Sequence, residues 1–212
     1  MNQAAGLRTL KKERTRRAIA DAAVSLFLAK GFDQVSVAEI AARAEVSKPT
    51  LFRYFASKEE LLLHRFADHQ GEAGRVVLAR PEGVTPLAAL RAHHLERLAA
   101  HDPVSGLSDA PEVLAFHRLV FETPSLAAHL AAYQAADATA LAEAFATRHG
   151  GAAGLADRLL ATQYQTVRQT LARDTWHRLT TGLPLPEAHR QAVADTELAF
   201  DLLADGAARL GY

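Results

Sequence analysis

Three capped helix starts fall within twenty-two residues, between Ser36 and Ser57, which commits this stretch to short helices joined by tight turns. Ser36-Val-Ala-Glu39 is a capping box, in which the serine oxygen and the glutamate carboxylate can each satisfy a backbone N–H left over at a helix start. It predicts a helix from Val37 to about Ala44. After a turn through Glu45 and Val46, Ser47 caps the next helix, with Pro49 in the first turn, where no N–H is needed. Ser57-Lys-Glu-Glu60 is a second capping box and opens a fourth helix through Leu61, Leu62 and Phe66.

The helix before these carries Ile19, Ala22, Ala23, Leu26 and Phe27 at i, i+3, i+4, i+7 and i+8, one apolar stripe. Gly31 supplies a left-handed residue at its end, and Phe32 the apolar contact that follows such an ending. Beyond residue 75 there are breaks rather than motifs: Pro81 to Pro86, Asp102 to Pro111, Thr123-Pro124, Gly150 to Gly154 and Gly182 to Pro186. They leave helices near 87–101, 111–121, 125–148, 154–181 and 187–209. Strand signals are nearly absent, so the fold class expected is all-α. The expected organisation is an N-terminal three-helix unit over 1–60, with a helix-turn-helix at about 37–55, and a helical body over 61–212. With no linker between them, the fourth helix is expected to belong to both.

Composition narrows the function classes. The chain has no cysteine, which excludes disulfides, cysteine nucleophiles and thiolate zinc sites and fits a cytoplasmic setting. No run approaches a membrane span, and the opening MNQAAGLRTLKKERTRR is polar and basic without an apolar signal core, so no membrane association is expected. Net charge is zero, yet residues 1–60 hold eleven Lys/Arg against seven Asp/Glu. A basic head on an acidic body suits phosphate binding at one end only. All ten histidines lie beyond residue 63, but no HExxH-type pairing exists, and scattered surface histidines explain them better than a metal site. There is no GxSxG, phosphate loop or dinucleotide turn, so neither catalysis nor a cofactor is expected.

A short helix, a tight turn and a second short helix behind a longer one is the arrangement that lays its second helix in the DNA major groove. Ile40, Ala41, Ala44, Val46, Leu51 and Phe55 would lock the pair together. Ser47, Lys48, Thr50, Arg53 and Tyr54 remain at the start and outer face of the second helix, with Lys58 starting the next. Such residues suit phosphate neutralisation and base-edge contact. By pattern alone, SKPTLFRYF could also be simply a capped, amphipathic surface helix. The basic run of Arg8, Lys11, Lys12, Arg14, Arg16 and Arg17 fits either added phosphate contacts or a solvated tail.

From Arg16 to Leu61, the pieces FLAKGF, VSVAEIAARAEVSKPTLFRYF and SKEEL resemble the N-terminal domain of the TetR/AcrR family of transcriptional repressors, in order and spacing. The resemblance implies a homodimer acting on a palindromic double-stranded DNA operator. It makes Val37 and Ala38 the groove-side start of the second helix, and Lys48, Pro49 and Thr50 the base and phosphate contacts. Phe52, Arg53 and Tyr54 become the middle of the recognition helix, and Lys58 a phosphate contact from the fourth. Two residues depart from the family pattern: Glu45 where a turn glycine is usual, and Phe52 where a tyrosine usually reaches phosphate.

The resemblance also implies that the last two helices pair with those of a second subunit. Their apolar stripes are Leu155, Leu159, Leu160, Tyr164, Val167, Leu171 and Leu179, then Val193, Phe200, Leu203 and Ala207. It implies a small-molecule effector in the body, for which His94, Phe116, Phe121, Tyr133, Gln163, Tyr164 and Trp176 are candidate contacts, though each is also an ordinary core residue by pattern. Trp176 and the break before the final helix resemble members that take bulky apolar ligands. The function expected is a ligand-responsive regulator. The alternatives are a constitutive or architectural DNA-binding protein whose body only dimerises, and a ligand-binding or catalytic helical protein whose head is incidental.

Overall fold

The computed structural model describes residues 3–67 and 69–207, and among these it contains ten α-helices and no strand. The chain divides into two compact units, residues 1–68 with 118–129, and residues 69–117 with 130–212.

The first unit holds α1 (Gln3–Lys30), α2 (Val37–Arg43), α3 (Lys48–Phe52) and α4 (Lys58–Ala67), with the end of α7 (Pro111–Glu122) and the start of α8 (Pro124–Ala146). Among the described residues its interior is apolar: Ile19, Ala23 and Phe27 from α1, Ile40, Leu51 and Phe55 from the helix-turn-helix, and Leu61, Leu62 and Leu63 from α4 are all buried. The turn out of α1 forms as its sequence predicts. Gly31 takes φ +86°, its N–H donates to the Phe27 carbonyl at 2.8 Å, and the Phe27 and Phe32 rings pack with centroids 4.9 Å apart. The basic run lies on α1, which extends to Gln3; the side chain of Arg8 lies outside the described residues, and Arg16 sits over the Phe55 ring at 5.4 Å.

The second unit holds α5 (Glu72–Ala79), α6 (Pro86–Ala99), the first part of α7, most of α8, α9 (Leu155–Thr180) and α10 (Leu185–Ala207). The last helix packs on both α9 and α6. One apolar cluster gathers Val77, Leu90, Leu141, Phe145, Leu160 and Phe200, and another Leu98, Leu107, Leu179 and Ala188. Close approach needs glycine at Gly106, where φ is +80° and a Cβ would stand 2.0 Å from the Ala172 carbonyl oxygen.

Two expectations change. Helix α4 lies with the first unit rather than in both, because Gly71 at φ +68° precedes a separate helix, α5, that the residue pattern did not resolve. The apolar stripes of α9 and α10 are not uniformly outward: Leu160, Tyr164, Leu171, Phe200 and Leu203 are core, while Leu155, Leu159, Leu198 and Leu202 are 53–68 % exposed.

Candidate functional site

Each of the three predicted caps forms, with a difference at the glutamates. Ser36 Oγ accepts the Glu39 N–H at 3.2 Å, but the Glu39 carboxylate turns back to Lys30 at 2.5 Å. Ser57 Oγ accepts the Glu60 N–H at 3.1 Å, and the Glu60 carboxylate accepts the N–H of Ala56. Ser47 Oγ accepts the Thr50 N–H at 3.2 Å and lies 2.8 Å from the Thr50 hydroxyl, which holds that side chain in place at the start of α3. Glu45 carries the turn with φ +54°, a left-handed conformation that strains any residue with a Cβ. Because Leu51 and Phe55 are fully buried, the opposite side of α3 must face water. Lys48, Pro49 and Arg53 are exposed, Phe52 is 51 % exposed, and neither Lys48 nor Arg53 has an ion-pair partner among the described residues. On α4, the Lys58 ammonium stands 4.3 Å over the Phe32 ring.

A different kind of site lies inside the second unit. A chamber of about 20 Å³, room for one water molecule, is lined by Glu72, His93, His94, Arg97, Tyr164 and Arg168 among others. The Glu72 carboxylate pairs with Arg97, lies 3.3 Å from His69 Nδ1 and 3.4 Å from His93 Nε2. Burial alone would raise its pKa, but Arg97, His69 and His93 together hold it below the ordinary carboxylate value. Arg97 also binds Asp102 at 2.9 Å. Arg168 has one distant pair, Asp137 at 3.9 Å. His94 is 4 % exposed, and its Nε2 has no hydrogen-bond partner among the described residues. Burial, then Arg168, Arg97 and His93, push its pKa down to about 4, so the ring is neutral at pH 7.

Residues 19–64 match the family described as bacterial regulatory proteins, tetR family. Over 206 residues the chain is 31 % identical to the HTH-type transcriptional regulator TcmR of Streptomyces glaucescens, covering 94 % of this chain and 89 % of that one. The chain belongs to the TetR family. It is a DNA-binding transcriptional regulator and not an enzyme. Among solved structures, NalD, the secondary repressor of the MexAB-OprM multidrug efflux pump in Pseudomonas aeruginosa, shares the fold at TM-score 0.58 and 20 % identity, over 92 % of this chain and 96 % of that one. The SmeT–triclosan complex does so at TM-score 0.56 and 20 % identity, over 91 % of both.

In this TetR-family regulator, all ten residues proposed for DNA contact lie in the first unit. Val37, Thr50, Tyr54 and Lys58 are half-buried there, and Ala38 and Ser47 exposed. Of the seven ligand candidates, His94 and Tyr164 line the chamber. Phe116 and Trp176 are buried elsewhere in the second unit, the Trp176 indole N–H donating to the Leu114 carbonyl at 3.2 Å, and Tyr133 is half-buried. Phe121 falls in the first unit. Gln163 is exposed, because it continues the outward row of Leu155 and Leu159 at helical spacing. Residue pattern missed Glu72, His93, Arg97 and Arg168, since charged groups are ordinarily assigned to the surface. A signal existed: Leu90, His94, Arg97 and Leu98 share one stripe of α6, as Leu160, Tyr164, Arg168 and Leu171 do on α9. The lining is charged, whereas the resemblance pointed to a bulky apolar ligand. Apolar lining occurs instead in an open groove of about 380 Å³ that includes Leu87, Leu95 and Phe200 and none of the seven candidates. Among the described residues no helix is long and apolar enough to cross a membrane, and no group of acids and histidines is arranged to hold a metal.

Proposed function

We propose that this regulator reads a palindromic operator as a homodimer, inserting α3 into the major groove, and that a small molecule bound in the second unit releases it. The observation that carries the DNA half is the free polar edge of α3: Lys48 and Arg53 exposed and unpaired around a helix pinned from behind by Leu51 and Phe55. In this reading, residues 1–60 form the DNA-binding domain and 61–212 the effector and dimerisation domain. Val37 and Ala38 approach the groove, Ser47, Lys48, Pro49 and Thr50 meet bases and phosphates, and Phe52, Arg53 and Tyr54 line the middle of the contact. Lys58 adds a phosphate contact once its ammonium leaves the Phe32 ring. The exposed Leu155, Leu159, Leu198 and Leu202 are apolar surface of the kind a partner subunit covers. The triclosan held by SmeT supports an organic effector in this fold.

The test begins with selection of a binding site from random-sequence duplexes. On that site, Lys48→Ala and Arg53→Ala each weaken binding by about 1–3 kcal/mol, with base preference relaxed wherever the lost contact is to a base. Lys58→Ala lowers mainly the slope of affinity against salt. Three variants binding as tightly as the parent would remove α3 as the recognition helix. For the dimer, Leu198→Glu with Leu202→Glu converts the protein to a monomer by light scattering at micromolar concentration; an unchanged mass puts the interface elsewhere.

A further inference from the structure

Three buried nitrogens of residues lining the chamber between α5, α6 and α9, His93 Nε2, His94 Nε2 and Arg97 Nε, have no hydrogen-bond partner among the described residues. Glu72 is engaged by Arg97 and His69, with His93 Nε2 a further 3.4 Å neighbour, and Asp102 is engaged by Arg97 and the Val104 N–H, so both acids already face basic partners. On the donor side, Arg168, whose side chain is 23 % exposed, pairs among the described residues with Asp137 at 3.9 Å, a distance that leaves donors of its guanidinium available to a ligand. The Arg97 Nε–H is buried and unmatched among the described residues. Tyr164 is 3 % exposed, and its ring is held against Phe200 at 6.1 Å, which fixes where the hydroxyl can reach. The buried His94 ring lines the same space, and its Nε2 is unmatched among the described residues.

Buried polar atoms without partners cost stability unless a ligand or water satisfies them, and only a water-sized space is open here. We propose that this chamber takes the compact anionic end of the effector, an ionised oxygen group of which a carboxylate is the simplest, with Arg168, Tyr164 and His94 as its contacts. The proposal deepens the effector reading above and rests on it. The charges that act on His94 support it: Arg168, Arg97 and His93 are all basic, and no acid appears among the groups shifting that ring. Tyr164 feels a mixed field, Arg168 and Arg97 against Glu72 and Asp137, while burial keeps its hydroxyl protonated and therefore a donor. A carboxylate oxygen entering the chamber would accept from Arg168 and Tyr164 together, and draw a proton toward His94 Nε2. The rest of the effector would lie outside, since the chamber admits about one oxygen atom of the charged group.

Acetate and acetamide test this directly, being alike in size and different in charge. Ring-nitrogen NMR of the full chain, with the His94 signals identified by their loss in His94→Gln, is followed while each is added at constant ionic strength and pH. Acetate should shift the His94 nitrogens saturably and acetamide should not. Arg168→Gln should weaken acetate binding by about tenfold or more, the loss expected of one charge-assisted hydrogen bond, with the free-state His94 signals kept. Equal responses to acetate and acetamide, no response to either, or undiminished acetate binding by Arg168→Gln would each overturn the assignment. Binding of the selected operator, measured on the same samples, separates this from the regulator reading. An operator-binding protein indifferent to acetate loses only the anion site, whereas failure on every duplex removes the reading on which it stands.

Discussion

Every buried polar or charged residue described lies in the second unit: His94, Ser105, His117, Asp157, Gln165, Thr175 and Thr196. The first unit buries only hydrocarbon and aromatic side chains and keeps its caps, cations and hydroxyls at or near the surface. The contrast matches the two tasks of the proposed function. Reading a duplex needs a rigid platform whose polar groups all point out, which a small apolar core can support. Sensing a small molecule needs polar groups turned inward, and such groups are destabilising to bury until a ligand or an internal partner meets them.

The contrast can be broken most forcefully at α3. Phe55→Ala removes a side chain only 1 % exposed and should cost about 4 kcal/mol, read from urea unfolding, while Phe52→Ala, three residues earlier and half exposed, should change stability by no more than about 0.5 kcal/mol. Similar losses at both positions would mean that Phe52 is held as firmly as Phe55, against its exposure.

Acid should act on the second unit and spare the first. His94 and His117 both have folded pKa values of about 4, each chiefly through burial, against about 6.5 when unfolded. Between those values the unfolded chain binds more protons than the native one, so the stability held above pH 6.5 is lost as pH falls toward 4. The loss should be on the order of 2 kcal/mol per histidine by about pH 5. Urea midpoints at about pH 7.5 and about pH 5 for the parent, His94→Gln and His117→Gln measure it. A parent and two variants with the same pH dependence would locate the acid sensitivity in other groups.

The smallest effect sharpens the comparison from the first unit's side. Glu45→Gly relieves φ +54° in the turn between α2 and α3 and should stabilise the protein by about 1 kcal/mol. Thermal unfolding checks it, and a loss of stability would show that the glutamate side chain holds the turn in some way its exposed position does not suggest.

The first unit was legible residue by residue because its signals are local. A serine three positions before the N–H it accepts, a proline in a first turn and a glycine after a last turn act over one helical turn, so Ser36, Ser47, Ser57, Pro49 and Gly31 declare their roles in sequence order. The exceptions are also local: Glu39 and Glu60 close on Lys30 and Ala56, since a glutamate side chain reaches several partners. In the second unit the informative pairs are far apart. Glu72 meets His93 and Arg97, more than twenty residues on, and Tyr164 and Arg168 join them from α9. Periodicity can show that Arg97 and Arg168 lie on inward stripes but not that they face the same space. Gly71, a single residue, divides α4 from α5 without the Pro/Gly clustering that marks the other breaks.

Sequence alone determined the all-α class and the helix-turn-helix, because capping and 3.6-residue periodicity operate within a few residues of each other. Tertiary structure alone decided which leucines of α9 and α10 face water and which charged residues meet in the chamber. Those outcomes depend on how whole helices pack, and burial of a charge is set by partners that the chain brings together only when it is folded.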